Sequence, residues 1–272
     1  MKKFQFLVLI LLLVYACKND KDASDAAITT SGTVTAAPAA INYTVTKVYP
    51  HDTSAYTQGL IWYNNQLFEG TGLEGYSKLM KTDLATGKSL QSVALNKNIF
   101  GEGITILNDT IYQLTWQNNI VYVYDAKSLR KIKEFTWPYQ GWGITHNGKE
   151  LIISTGSNNL YFVKPSDFGI LKTVGVESNL GPVPSLNELE YIDGFVFANQ
   201  YETDNIFKIN PETGKVVGLL DATAIREKNG IAYNPTDANL GFVLNGIAYD
   251  STRKKLLITG KKWAAIFELS LQ

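Results

Sequence analysis

Gln58-Gly59-Leu60-Ile61-Trp62 recurs along this chain in changed letters. It returns as Glu102-Gly103-Ile104-Thr105-Ile106 and as Trp142-Gly143-Ile144-Thr145-His146, then as Glu188-Leu189-Glu190-Tyr191-Ile192 and Asn245-Gly246-Ile247-Ala248-Tyr249. The starts lie 44, 40, 46 and 57 residues apart, close to the length of one four-stranded propeller blade. Turn signals follow each start. Asn108-Asp109 precedes one apolar run and Asn118-Asn119 the next, and such pairs tolerate the positive φ of tight hairpins. Asp83 to Gly87 and Asn210 to Gly214 mark matching turns before outer strands. A β-sandwich would explain short strands but not a five-fold recurrence. The expected fold is all-β, a five-bladed β-propeller.

Closure is also written in the chain. The fifth repeat offers strands near 244–250, 255–260 and 264–271 and then ends, one short of a blade. Tyr43-Thr44-Val45-Thr46-Lys47-Val48-Tyr49 precedes the first repeat as a surplus strand. Docking it on the last blade joins the ends of the domain and removes an exposed edge.

Composition excludes more than it names. The 272 residues carry 25 Lys and Arg against 25 Asp and Glu, with 45% apolar and 18% charged residues, an ordinary globular balance. No basic excess speaks for nucleic acid, whose phosphates demand one. One Cys and two His cannot supply the three or four N/S ligands of a usual zinc site. The 5 Trp, 15 Tyr and 12 Phe favour strands.

The first residues read as an address. Met1-Lys2-Lys3 is basic, residues 4–14 are apolar except Gln5, and Ala16-Cys17 closes the run. As a helix those eleven residues would rise about 16 Å, short of the ~30 Å hydrocarbon core. The pattern fits a secretory signal. Val14-Tyr15-Ala16-Cys17 resembles a lipoprotein box, so residues 1–17 are expected to be a signal ending at a lipidated Cys17. That implies export to the bacterial cell envelope, with membrane contact only through the lipid. Residues 18–40 are small and polar, without aromatics, and are expected to be a tether. The propeller is expected over 41–272, as a monomer.

In a meander, the start of a first strand and the end of a second share one end of the blade. The repeat therefore predicts a ring of Gln58, Glu102, Trp142, Glu188 and Asn245, with Asn187 beside it. Glu69, Trp116, Thr155, Tyr201 and Lys261 are predicted on the same face. The glycine beside the ring recurs while its neighbour changes from amide to acid to indole. Variation on a constant scaffold points to a binding site. Trp62, Trp137 and Trp263 are expected to be packing. An acid, a base, amides and indoles suit sugar binding as well as proton transfer.

The ordered set Tyr56-Thr57-Gln58-Gly59-Leu60, Leu67-Phe68-Glu69-Gly70-Thr71-Gly72, Phe100-Gly101-Glu102-Gly103-Ile104-Thr105, Gly141-Trp142-Gly143, Leu186-Asn187-Glu188-Leu189-Glu190, Val243-Leu244-Asn245-Gly246-Ile247-Ala248 and Thr259-Gly260-Lys261 resembles the glutaminyl-peptide cyclotransferases of the plant and bacterial type. The likeness runs over residues 43–270. It implies a five-bladed propeller that turns N-terminal Gln of peptides or proteins into pyroglutamate and releases ammonia, with no cofactor required. A structural divalent cation in the central channel is compatible with it. The resemblance puts the catalytic acid/base on Glu102 and substrate contacts on Gln58, Trp116, Trp142, Asn187, Tyr201 and Lys261, and Glu69, placed on the same face by the repeat, is expected to bind substrate with them. A third indole of the family pocket is Tyr201 here, and Ser154-Thr155-Gly156 has Thr where the family has Asp. Two competing readings are a non-catalytic envelope propeller binding peptide or glycan, and a metal-dependent lactonase using Glu69, Glu102 and Glu188 as oxygen ligands.

Overall fold

The blades are shaped by their turns. Asn64-Asn65, Asn108-Asp109 and Asp193-Gly194 all have positive φ, the two-residue geometry that matches the twist of antiparallel strands. Farther out, Gly87, Leu129, Phe168 and Gly214 close five-residue turns onto the carbonyls of Asp83, Asp125, Lys164 and Asn210.

The computed structural model describes residues 36–232, 234 and 236–272. The expected signal and the lipidation site Cys17 lie outside the described residues. Strand β1 (Ala39–Ala40) and strand β2 (Tyr43–Pro50) come first. Blade 1 follows as β3 (Thr57–Tyr63), β4 (Gln66–Thr71), β5 (Lys78–Thr82) and β6 (Ser89–Ala94). Blade 2 is β7 (Gly101–Leu107), β8 (Thr110–Thr115), β9 (Ile120–Asp125) and β10 (Lys131–Thr136). Blade 3 is β11 (Ile144–His146), β12 (Leu151–Ser154), β13 (Asn159–Val163) and β14 (Ile170–Gly175). A small hairpin, β15 (Glu177–Ser178) and β16 (Gly181–Pro182), leads into blade 4. That blade is β17 (Leu186–Ile192), β18 (Phe195–Gln200), β19 (Asn205–Ile209) and β20 (Val216–Asp221). Two single-turn helices, α1 (Ile225–Lys228) and α2 (Thr236–Asn239), fill the longest interval. Blade 5 is β21 (Leu244–Asp250), β22 (Lys255–Gly260) and β23 (Ala265–Leu271).

The surplus strand closes the last blade as the sequence predicts. β2 pairs antiparallel with β23, from Tyr43 against Leu271 to Pro50 against Ala265. One feature differs from expectation. Ala39 and Ala40 belong to the predicted tether, yet β1 pairs parallel with β20 on the outer edge of blade 4. An edge strand of this kind needs only backbone hydrogen bonds, so alanines suffice, and it covers an otherwise open edge.

The core is divided among the blade interfaces. Ile61, Phe68 and Leu79 of blade 1 pack on Ile104, Ile106 and Tyr122 of blade 2. Equivalent clusters join blades 2 and 3, 3 and 4, 4 and 5, and finally 5 and 1 through Leu257, Ile266, Leu60 and Leu67. At the axis, Glu188 of blade 4 receives the N–H of Leu60 at 3.2 Å and of Ile247 at 2.8 Å, linking three blades.

Candidate active site

Four of the five inner strands are irregular at the residue that matters; blade 3 pairs regularly. Pairing registers shift between Thr57 and Gly59, Gly101 and Ile104, Leu186 and Leu189, and Leu244 and Ile247. Bulges of this kind re-aim a side chain and recur beside active sites. They turn Gln58, Glu102 and Asn187 into one cavity of about 230 Å³, which Trp142, Trp116, Tyr201, Lys261, Tyr56 and Phe100 also line. Sites that enclose drug-sized ligands measure about 300–1,000 Å³. This one suits a single side chain.

Inner strands come close enough for the ring to form because glycine follows the site residue. A Cβ on Gly103 would stand 2.6 Å from the Trp142 carbonyl oxygen, which the Gly103 N–H reaches at 2.8 Å. Buried Leu60, Ile104, Ile144, Leu189 and Ile247 then align the blades, each at 0% exposure. In that alignment Asn187 is the blade 4 counterpart of Gln58 and Glu102, and Glu188 holds the glycine position. The predicted ring was thus shifted by one residue in blade 4. Glu188 faces the axis.

A second correction concerns Glu69. The N–H groups of Trp116, Tyr201 and Lys261 bond the carbonyls of Phe100, Ser185 and Val243, each two residues before the ring position. In blade 1 the same bond runs from Gly72 to Tyr56, at 2.8 Å. The blade 1 counterpart of Lys261 is therefore Gly72, three residues beyond Glu69. Its missing side chain leaves room for the Phe100 ring. Glu69 lines nothing: its Oε1 takes hydrogen bonds from His51 Nε2 at 3.0 Å and Thr57 Oγ1 at 2.7 Å, fully buried. Thr155 is likewise absent from the cavity wall.

Sequence reasoning missed Tyr56 and Phe100. Both stand two residues before a ring position, immediately ahead of β3 and β7. Trp137 and Trp263 are buried packing, and Trp62 lies half-buried against the cluster between blades 5 and 1.

Glu102 and Lys261 are 4% and 3% exposed, and among the described residues no group hydrogen-bonds either ionisable end. Burial holds the Glu102 carboxyl well above the usual carboxylate range, and the Lys261 charge draws it only part of the way back. Burial brings the Lys261 ammonium down to about 8, against the opposing pull of Glu102 and Glu202. The Lys261 Nζ sits between two ring faces, 4.9 Å from the Tyr56 centroid and 4.8 Å from that of Tyr201. Tyr56 itself is pushed up to about 12 by burial, with Tyr201 and Glu102 adding to the rise.

The amides are oriented by their neighbours. Asn245 Nδ2 donates to the Thr57 carbonyl at 2.9 Å and to Gln58 Oε1 at 3.1 Å. The Gln58 NH₂ is therefore turned toward the cavity as a donor. Asn187 offers the opposite: its buried Oδ1 has no partner among the described residues. One face thus presents a neutralisable acid, an amine, a free donor and a free acceptor inside aromatic walls.

Among the described residues no three His, Cys, Asp or Glu converge on one point. Glu69, Glu102 and Glu188, the trio a lactonase would need, point to three different places. At the axis, where the sequence is compatible with a cation, both Glu188 oxygens already accept backbone N–H groups.

The fold and the site together define a five-bladed propeller with a buried acid and amine in an aromatic pocket on its axial face. The chain belongs to the glutamine cyclotransferase family, whose model matches residues 9–271. It is 37% identical over 229 residues to the glutaminyl-peptide cyclotransferase of Arabidopsis thaliana, covering 82% of this chain and 69% of that one. The crystal structure of Myxococcus xanthus glutaminyl cyclase superimposes with a TM-score of 0.79 at 32% identity, over 86% of this chain and 98% of the other.

Proposed function

We propose that the cavity cyclises the N-terminal Gln of peptides and proteins to pyroglutamate and releases ammonia; its relatives are by name a glutaminyl-peptide cyclotransferase and a glutaminyl cyclase. The observation that carries this reading is Glu102, a buried carboxyl with no hydrogen-bond partner among the described residues, facing a single-residue pocket in a chain of this family.

The α-amine attacks the δ-carbon of its own side chain, and the C–N bond to the amide nitrogen breaks as the ring closes. Nucleophile and electrophile are already tethered, so the protein has mainly to select the folded conformer and move one proton. The free α-amine titrates near ~8, so part of it is neutral at ordinary pH. Glu102 as carboxylate takes the proton from the attacking amine and returns it to the leaving nitrogen, which departs as ammonia. Its raised pKa suits both halves of that exchange. The Gln58 NH₂ and the Lys261 ammonium stabilise the oxyanion, and the free Asn187 Oδ1 accepts a hydrogen bond from the amine. Trp116 and Trp142 exclude water.

The chemistry calls for no metal, and the protein carries it out as a monomer exported to the bacterial envelope on a lipid at Cys17. Support for the lipid anchor is the Val14-Tyr15-Ala16-Cys17 pattern behind the apolar run. Incorporation of labelled palmitate in the full chain, lost in Cys17→Ser, tests the anchor.

Ammonia release from a Gln-initiated dipeptide, with and without chelator, tests the reaction. Chelator-resistant release that falls by roughly 10²–10⁴ in Glu102→Gln is expected, the usual worth of a general acid/base. Peptide binding by the folded parent without ammonia release would leave a binding propeller instead.

A further inference from the structure

Three of the protein's five indoles direct their N–H groups at one residue outside the cavity lining, Gln140. Trp116 Nε1 donates to Gln140 Oε1 at 2.9 Å, and Trp142 Nε1 donates to the same oxygen at 3.1 Å. Trp137 Nε1 donates to the Gln140 backbone carbonyl at 3.2 Å. An indole N–H is a donor only, so the amide oxygen alone can meet both walls. The side-chain orientation is thereby fixed.

The arrangement completes a collar. Trp116 meets Phe100 edge-on at 5.7 Å, and Phe100 meets Tyr56 at 6.1 Å. Tyr56 and Tyr201 clasp Lys261, and Tyr201 meets Trp142 at 5.6 Å. Between Trp142 and Trp116 the Gln140 oxygen closes the ring. Trp116 is 38% exposed, so packing alone does not hold it. The loop beneath is held separately: Trp137 is buried at 1% exposure, and the Gly141 N–H bonds the carbonyls of Thr115 and Trp116. Those bonds use backbone atoms of residues 140 and 141, which any substitution of Gln140 keeps.

We propose that Gln140 is a positioning residue for the reaction, holding Trp116 and Trp142 as fixed walls through one shared oxygen. The inference rests on the reading of the cavity as the cyclisation site. Its effect falls on substrate binding, because Glu102 and Lys261 are untouched by it. Losing two neutral hydrogen bonds corresponds to roughly a 5- to 30-fold change.

The test compares the parent with Gln140→Leu and Gln140→Glu, using steady-state ammonia release from a Gln-initiated dipeptide. Gln140→Leu is expected to raise KM by roughly 5- to 30-fold with kcat within about two-fold. Gln140→Glu keeps acceptor oxygens at the same reach and is expected to restore KM to within about three-fold of the parent. The indole N–H resonances give a second readout. In Gln140→Leu those of Trp116 and Trp142 should move and lose exchange protection, while that of Trp137 stays. An active parent whose Gln140→Leu variant keeps KM, or loses kcat at constant KM, overturns the positioning role alone. A folded parent that releases no ammonia overturns the cyclisation reading and the role together.

Discussion

Replacing Glu188 by Ala should damage the fold and spare the chemistry. Its two carboxyl oxygens accept the Leu60 N–H at 3.2 Å and the Ile247 N–H at 2.8 Å, so one side chain ties blade 4 to blades 1 and 5. Glu188 is 1% exposed, and no solvent waits to replace it. Each buried amide left without an acceptor costs about 1–3 kcal/mol, so two cost about 2–6. Removing a desolvated acid, whose pKa burial already holds well above the usual range, returns part of that. A net loss of about 2–4 kcal/mol follows, or about 5–15 °C in Tm for a domain of this size. Glu188→Gln keeps one acceptor and should fall between the two. The assay is thermal unfolding followed by circular dichroism, paired with ammonia release well below the transition. A Glu188→Ala protein that melts within about 2 °C of the parent refutes the axial role. So does one that keeps its Tm and loses kcat, since that would make Glu188 a pocket group.

Other consequences follow from the same geometry. Lys261 pulls the Glu102 carboxyl down, so Lys261→Met should move the acidic limb of the pH–rate profile to higher pH and remove any fall near pH 8; an unchanged profile would separate the two groups. A Cβ at Gly103 would press on the Trp142 carbonyl oxygen, so Gly103→Ala should cost about 1–3 kcal/mol in unfolding free energy and lower kcat/KM, measured by urea denaturation and ammonia release. Burial alone would lower the His51 pKa, but the Glu69 charge and hydrogen bond and the Trp263 carbonyl outweigh it and hold the pKa above the ordinary value. That stability is fully present below about pH 6.5 and is lost as pH rises through the folded value, so His51→Gln should flatten the decline of Tm above pH 6.5. A parallel decline in both proteins would count against the pair.

Much of the fold was legible because propeller blades repeat their turn chemistry as well as their apolar runs. Asn64-Asn65, Asn108-Asp109 and Asp193-Gly194 need positive φ, and the residues that tolerate it are few. The missing strand of blade 5 and the surplus strand at Tyr43 to Tyr49 are a simple count. Ala39 and Ala40 were not legible as a strand, since pairing on a blade edge uses backbone alone and leaves no mark on side-chain choice. The site was legible to within a register. Glu188 and Glu102 share a letter and not a position, and identity outweighed the buried aliphatic that truly aligns the blades. Glu69 failed for the same reason, because Gly72, the true counterpart of Lys261, carries no side chain to advertise the place.

What separates the two ring carboxyls is the set of donors around them. Glu102 and Glu188 are both buried, and burial pushes both well above the usual carboxylate range. Glu188 then finds two backbone N–H groups at fixed distances, and removing its acceptor oxygens would break the brace between blades. Among the described residues Glu102 meets no hydrogen-bond donor, and it faces an ammonium that burial brings down to about 8. A carboxyl that no fixed donor holds in one protonation state can take up and give back a proton, which is what the proposed acid/base role asks of it. The bulge that shifts register at Gly101 and Ile104 produces this difference, because it turns Glu102 to the cavity while the residue after it takes the axis. In blade 4 the bulge is kept, and the acid stands one residue later. Exchanging the two by Asn187→Glu with Glu188→Gly would put a second carboxyl in the pocket beside Glu102, where like charges hold one proton on and the acidic limb of the pH–rate profile should move to higher pH.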